Sequence, residues 1–328
     1  MIYYILQPFH EQAIAIAKFI KENPKNRLIA VLLDTEKYKN HTVYDEITVV
    51  EDYSKIPPKG FIVPTGAKST EIMLSRGDMQ LNDIKMIQKN LLVFDKIAFL
   101  NLCRKNNLPI PNQFEYWELK DLSFPIFFKE KNEKGGGLRG RANSFDDLIQ
   151  VPLEDLIFQE LIESPGTYGV AFLAKEGKMI SSFSHYEMES YPVSGGSATV
   201  IQAIHDSRLI ELTEKFITTF GYEGWGLAEY KYCPTRKDYV FMEVNAKFWA
   251  SCYFSFKNNP DFLKKLFSTE VKTERIETLI FINRLLNTGL LNTIKVLCKY
   301  RGVALLKESS LIKSFLKGFL FDIGLRKK

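Results

Sequence analysis

Between Trp225 and Ser251 the chain reads WGLAEYKYCPTRKDYVFMEVNAKFWAS, and this stretch constrains the fold most tightly. Two runs of strand length, GLAEYKY and YVFMEVN, flank the turn-rich segment CPTRKD. Side chains alternate between faces along a strand, so Glu243 and Asn245 point one way while Val244 points into a core. If the two runs pair as a hairpin, Glu229 brings a second carboxylate to the same face. Two carboxylates and an amide oxygen on one face make a hard-oxygen set suited to Mg²⁺ carrying nucleotide phosphates. A solvated hairpin face fits the same spacing.

Upstream, residues 1–88 alternate strand and helix patterns. IYYIL, RLIAVLL, EITVVED and GFIVPTG have strand character, whereas EQAIAIAKFIKE and STEIMLSRG have helical spacing. Such alternation predicts a parallel α/β layer. No GxGxxG follows the first strand, which argues against a dinucleotide-binding Rossmann unit. Next, DKIAFLNLCRKN predicts a helix capped by Asp95 and stopped by Pro109 and Pro111. FPIFFKEKNEKGGGLRGRANSFDDLI reads as strand, glycine-rich loop and strand, with Lys129 at the loop's edge. Glycines let backbone amides approach phosphate oxygens, although a flexible hairpin tip has the same composition. The loop is not a P-loop, because no GKS/T follows. LIFQELIESPGTYGVAFLA predicts strand, turn, strand; DSRLIELTEKFITTF predicts a packing helix closed by Gly221.

A chain of 328 residues exceeds the usual single core, so several modules are expected. The four cysteines are scattered without CxxC or zinc-like spacing, and the start lacks a signal-peptide pattern, which together predict a cytoplasmic protein. Net charge is +5, yet residues 284–328 hold ten Lys/Arg and two Asp/Glu. The body is therefore slightly acidic, which argues against nucleic acid as a partner. The tail predicts short amphipathic helices, read either as a cap on the body or as a peripheral contact with an anionic inner-membrane surface.

In order, these runs resemble the ATP-grasp superfamily across about residues 90–255. The resemblance rests on Asp95-Lys96 before a helix and Pro-x-Pro, and on Lys129 before Gly135, Gly136 and Gly137. It continues through Gln159-Glu160-Leu161-Ile162, the Pro192 and Gly195-Gly196 loop, and Glu229 with Glu243-Val-Asn245-Ala-Lys247. It is nearest to the carboxylate–amine ligases of the carbamoyl-phosphate-synthase-like branch. The implied fold is α/β (α+β): a preATP-grasp domain over 1–88, a small subdomain over 89–158, a large subdomain over 159–270 and a basic helical extension over 271–328.

The resemblance also implies roles. Lys96, Lys129 and the glycine loop would hold ATP phosphates, and the 159–162 hinge would read adenine. Glu229, Glu243 and Asn245 would hold Mg²⁺ or Mn²⁺, with Lys247 and His185 at the reacting end. Small-molecule carboxylate and amine substrates follow, joined through an acyl phosphate, and a homodimer is left open. Three departures stand out. Lys247 replaces the usual Arg and loses its bidentate fork. Thr167 stands where an acid usually holds ribose, leaving Glu163 as a substitute. The central strand has His185 and Tyr186 near its expected Arg. These departures support a competing reading, a nucleotide-binding scaffold without turnover.

Overall fold

The computed structural model describes the whole chain apart from residues 40, 58, 132–137, 149–154, 192–195 and 326–328. The N-terminal alternation gives β1 (Ile2–Leu6), α1 (Glu11–Lys21), β2 (Arg27–Leu33), β3 (Glu46–Val50), β4 (Phe61–Pro64) and α2 (Ala67–Arg76). The four strands are parallel, in the order β3-β2-β1-β4, as expected. β2 is buried along nearly its whole length because both faces of a parallel layer are covered. α1 buries Ala13, Ile16, Ala17 and Ile20, whose three- and four-residue spacing makes one apolar stripe. A hairpin of β5 (Met79–Leu81) and β6 (Ile84–Met86) follows. Its strands are too short to leave a periodic signal in the sequence.

α3 (Lys96–Lys105) leads into an antiparallel sheet of β7 (Gln113–Phe114), β8 (Ile126–Glu130), β9 (Arg139–Ala142) and β10 (Leu156–Glu160). Their order is β7-β10-β8-β9, over a core of Leu119, Ile126, Phe128, Leu156 and Phe158.

The largest sheet has seven strands. It contains β11 (Thr167–Lys175), β12 (Lys178–Tyr191), β13 (Ser197–Ile204), β14 (Gly224–Cys233), β15 (Asp238–Asn245), β16 (Thr278–Phe281) and β17 (Ala304–Leu306), in the order β15-β14-β11-β12-β13-β16-β17. α4 (Ser207–Phe220) joins β13 to β14; Asp206 caps its start and left-handed Gly221 ends it. α5 (Cys252–Asn258) and α6 (Asp261–Phe267) follow β15. The expected helical extension supplies α7 (Ile282–Leu286), α8 (Leu290–Lys299) and α9 (Leu311–Asp322), and it also supplies β16 and β17 to the sheet.

One aromatic core joins the parallel layer to the large sheet. Tyr230 stacks on Phe241 at 4.7 Å, and Phe241 meets Phe99 of α3 and Phe216 of α4 edge-on. Val244 is buried in this core, as the alternation predicts. The opposite face of β14 and β15 carries Glu229, Glu243 and Asn245.

Candidate active site

Glu229 and Glu243 are direct partners in the antiparallel ladder between β14 and β15. The expected hairpin forms, and it sets the two carboxylates side by side on one face. Asn245 joins them: its Nδ2 donates to Glu229 Oε1 at 3.1 Å and to Glu243 Oε1 at 3.4 Å. Asp95 Oδ1 accepts from the amides of Ile97 and Ala98 at 3.0 Å each, which fixes the start of α3 and holds Lys96 at its first turn. Lys129 on β8 lies directly opposite Arg139 on β9. Lys96, Lys129, Arg139, Glu243, Asn245 and Lys247 all line one cleft.

The charges in this cleft hold one another in place. Burial alone would push the Glu243 carboxyl up, but Lys129, Lys96 and Lys247 outweigh it and hold the group below its ordinary value. Glu229 is driven well above its ordinary value, first by burial and then by the neighbouring Glu243 and Glu187. Lys247 is lowered by burial, against the pull of Glu229 and Glu243. One ionised carboxylate thus sits beside one that resists ionising, an arrangement a divalent cation would relieve. Among the described residues, no three His, Cys, Asp or Glu side chains group as a metal site. A cation here would draw on Glu229, Glu243, the Asn245 amide oxygen turned towards it, and oxygens of the bound ligand. That donor set fits Mg²⁺, which keeps waters and phosphate oxygens among its ligands.

The same face continues across the sheet. Gly169 of β11 pairs with Glu229 on one side and His185 on the other. A side chain at Gly169 would collide with the His185 ring, so glycine makes room for the imidazole. His185 is fully buried, neither ring nitrogen has a hydrogen-bond partner among the described residues, and burial drives its pKa down to about 3. It is therefore neutral at neutral pH. Its Nε2 lies 3.9 Å from Glu187, two residues on and on the same face. Lys231 likewise shares the face of Glu229. Burial raises the Glu187 carboxyl to about 7 against the pull of Arg284 and Lys231, and burial lowers Lys231.

Glu187 gives a pH prediction. Its folded form holds a proton that the unfolded form releases near the ordinary glutamate value of 4.5. The folded state binds more protons in between, so this group's contribution to stability falls as pH rises from 4.5 through about 7. In thermal melts, the wild-type chain should lose stability relative to Glu187→Gln across that window. A constant difference between the two would refute the assignment.

The hinge residues divide. Gln159 is buried, and neither of its amide atoms has a hydrogen-bond partner among the described residues. It shares the face of Ile157, which pairs with Lys129. The Glu160 carboxylate is already engaged: it accepts from the Asn112 amide at 3.1 Å and forms an ion pair with Arg236. Leu161 is half-buried, and Ile162 packs with Cys233 and Val240. Glu163 is exposed, 3.6 Å from Arg141. The predicted loop glycines Gly135, Gly136 and Gly137, with Pro192 and Gly195, lie outside the described residues. Sequence reasoning missed Arg139, Glu187 and Lys231 as members of the site. The two-residue offsets from His185 and Glu229 carried the signal for the last two.

No family model matches the sequence, and no curated protein matches it. Solved structures do. L-amino acid ligase from Bacillus licheniformis superposes with TM-score 0.62 at 12% identity, covering 84% of this chain and 78% of that one. The chain has the ATP-grasp fold. Biotin carboxylase from Campylobacter jejuni, in a β-γ-ATP complex, gives TM-score 0.60 at 15% identity over 82% of this chain and 72% of its own. N5-carboxyaminoimidazole synthase from Aspergillus clavatus, in complex with ADP and the aminoimidazole ribonucleotide, gives 0.59 at 12% over 83% and 78%. Within this ATP-grasp fold, the cleft lies between the small antiparallel sheet, which carries Lys129 and Arg139, and the large sheet, which carries Glu243 and Asn245.

Proposed function

We propose that the chain is an ATP-dependent carboxylate–amine ligase that forms an amide through an acyl phosphate. The observation that carries this reading is the convergence of Lys96, Lys129, Arg139 and Lys247 in one cleft on Glu243, the carboxylate whose ladder partner is Glu229. The resemblance in fold to an L-amino acid ligase and to ATP- and ADP-bound enzymes supports it.

In this reading, Lys96 and Lys129 neutralise phosphate charge, and the Gln159 amide, without a partner among the described residues, meets the adenine edge. Glu229, Glu243 and Asn245 would hold Mg²⁺ or Mn²⁺, which would supply positive charge along the phosphate oxygens. A substrate carboxylate oxygen attacks the γ-phosphorus and ADP leaves. The amine then attacks the acyl carbon, phosphate leaves and the amine's extra proton is released. Lys247 faces the oxygens that gain charge. His185, buried and neutral, suits a positioning role beside Glu187 better than proton transfer. Positioning and electrostatics carry such a reaction, so no side-chain nucleophile is needed.

The test is ADP release from Mg-ATP against amino acids, uronates and sugar nucleotides, offered singly and in pairs. Release that requires one carboxylate plus one amine establishes the ligase and names its substrates. ATP binding by calorimetry without release from any pair favours the scaffold. Absence of ATP binding would sink the nucleotide assignment.

A further inference from the structure

Helix α9 is packed inside out. Its buried positions are the small residues Ser314 and Gly318. A side chain at Gly318 would strike the Leu286 carbonyl of α7, so the helix docks through its narrow side. Ile312, Phe315, Leu316, Phe319, Leu320 and Ile323 are all exposed, Ile312 at 74%. At 100° per residue these six form one face, and Lys313 and Lys317 run along its flank. An amphipathic helix packed on a core ordinarily buries such residues; here they face out. Leu291 and Ile294 of the adjoining α8 are exposed as well.

Polar bonds fix this orientation. Asn283 Nδ2 donates to Ser314 Oγ at 3.0 Å, and its Oδ1 accepts from the Glu308 and Ser309 amides. Asp322 Oδ2 accepts from the Leu290 amide at 2.7 Å, capping α8. These bonds also settle the charge of the outer surface. Residues 284–328 contain only two acids, Glu308 and Asp322. Glu308 is turned inward onto Arg284, and Asp322 is spent on the cap. Lys295, Arg301, Lys307, Lys313 and Lys317 are all exposed. The outer surface is thus apolar and cationic: Glu308 is turned inward, and the exposed Asp322 is bonded to the first amides of α8.

We infer that this face of α8 and α9 seats the protein on an anionic lipid surface, with α9 lying in the plane of the interface. Charge complementarity selects that occupant. A second copy meeting the same face would bring lysine rows together, whereas anionic headgroups beside an acyl boundary satisfy both the lysines and the apolar ridge. At twelve residues α9 is too short to span a bilayer, and among the described residues no helix is long and apolar enough to do so. This inference stands apart from the ligase reading.

The test is flotation of the full chain with vesicles of phosphatidylcholine alone and with vesicles also containing phosphatidylglycerol. Binding to the anionic vesicles but not the neutral ones is expected. Lys313→Gln/Lys317→Gln should lower the partition coefficient on the order of 30-fold. Phe315→Ser/Phe319→Ser should lower it further. Both variants should keep the wild-type melting temperature, because all four side chains are exposed. Equal binding to neutral vesicles overturns the inference, as does no binding to anionic ones. If light scattering then shows a dimer that the phenylalanine variant cannot form, the face is an interface between copies.

Discussion

Replacing Glu243 with Gln should lower substrate-dependent ADP release by about 100-fold or more, the usual scale for removing one preorganised charge from a reacting site. The amide keeps the shape of the side chain, so the effect isolates charge. Glu243 is the carboxylate that Lys129, Lys96 and Lys247 hold ionised despite burial. Its partner Glu229 resists ionising because burial and Glu243 both oppose it. Without Glu243 a bound cation would lose its one firmly charged ligand, and the lysines lose their counter-charge. Calorimetry should show that the gain in ATP affinity on adding Mg²⁺ disappears in Glu243→Gln, a readout independent of turnover. Glu229→Gln should also abolish turnover but raise the melting temperature of the ligand-free chain, because it removes a group the fold disfavours in its charged form. Turnover in Glu243→Gln within a few-fold of wild type would remove the pair from the mechanism.

That pair was legible because the signal is local. Alternation along GLAEYKY and YVFMEVN puts Glu229, Glu243 and Asn245 on one face as soon as the strands pair, and a turn of only a few residues makes pairing nearly inevitable. The parallel layer was legible for the same reason, since β2 is apolar throughout and α1 carries its stripe at helical spacing. Lys96 was legible only through its neighbour Asp95, and nothing in the sequence indicated that it would be buried rather than solvated. Arg139 was visible as a charge but not as part of the site. Its place depends on the pairing of β9 with β8 across the glycine-rich segment. The inside-out packing of α9 was hidden, because a lysine-flanked apolar stripe predicts the stripe but not which side docks. Only Gly318 hinted at it, and a glycine within a helix has several readings.

Arg284→Met should cost about 3–5 kcal/mol of stability, the largest structural effect expected from a single substitution outside the aromatic core. Arg284 lies in the middle of the short helix α7, is 7% exposed, and gathers partners from four distant segments. Its Nε donates to Glu308 at 3.0 Å, its Nη1 to the Ala198 carbonyl of β13 at 3.2 Å, and its Nη2 to the Ala250 carbonyl at 3.0 Å. Glu11 of α1 is 2.9 Å away. One guanidinium thus fastens the parallel layer, the large sheet, the segment after the site strand and the C-terminal extension. Methionine fills similar volume, but it takes this donor away from the buried Ala198 carbonyl, the partly buried Ala250 carbonyl and the Glu308 carboxylate. Glu308→Gln should cost much less. Burial already raises the Glu308 carboxyl to about 7 despite Arg284, so the charged form contributes little near neutrality. Thermal melts of the two variants at neutral pH should therefore rank Arg284→Met well below Glu308→Gln. Equal losses would mean that the ion pair, rather than the carbonyl contacts, holds the extension in place.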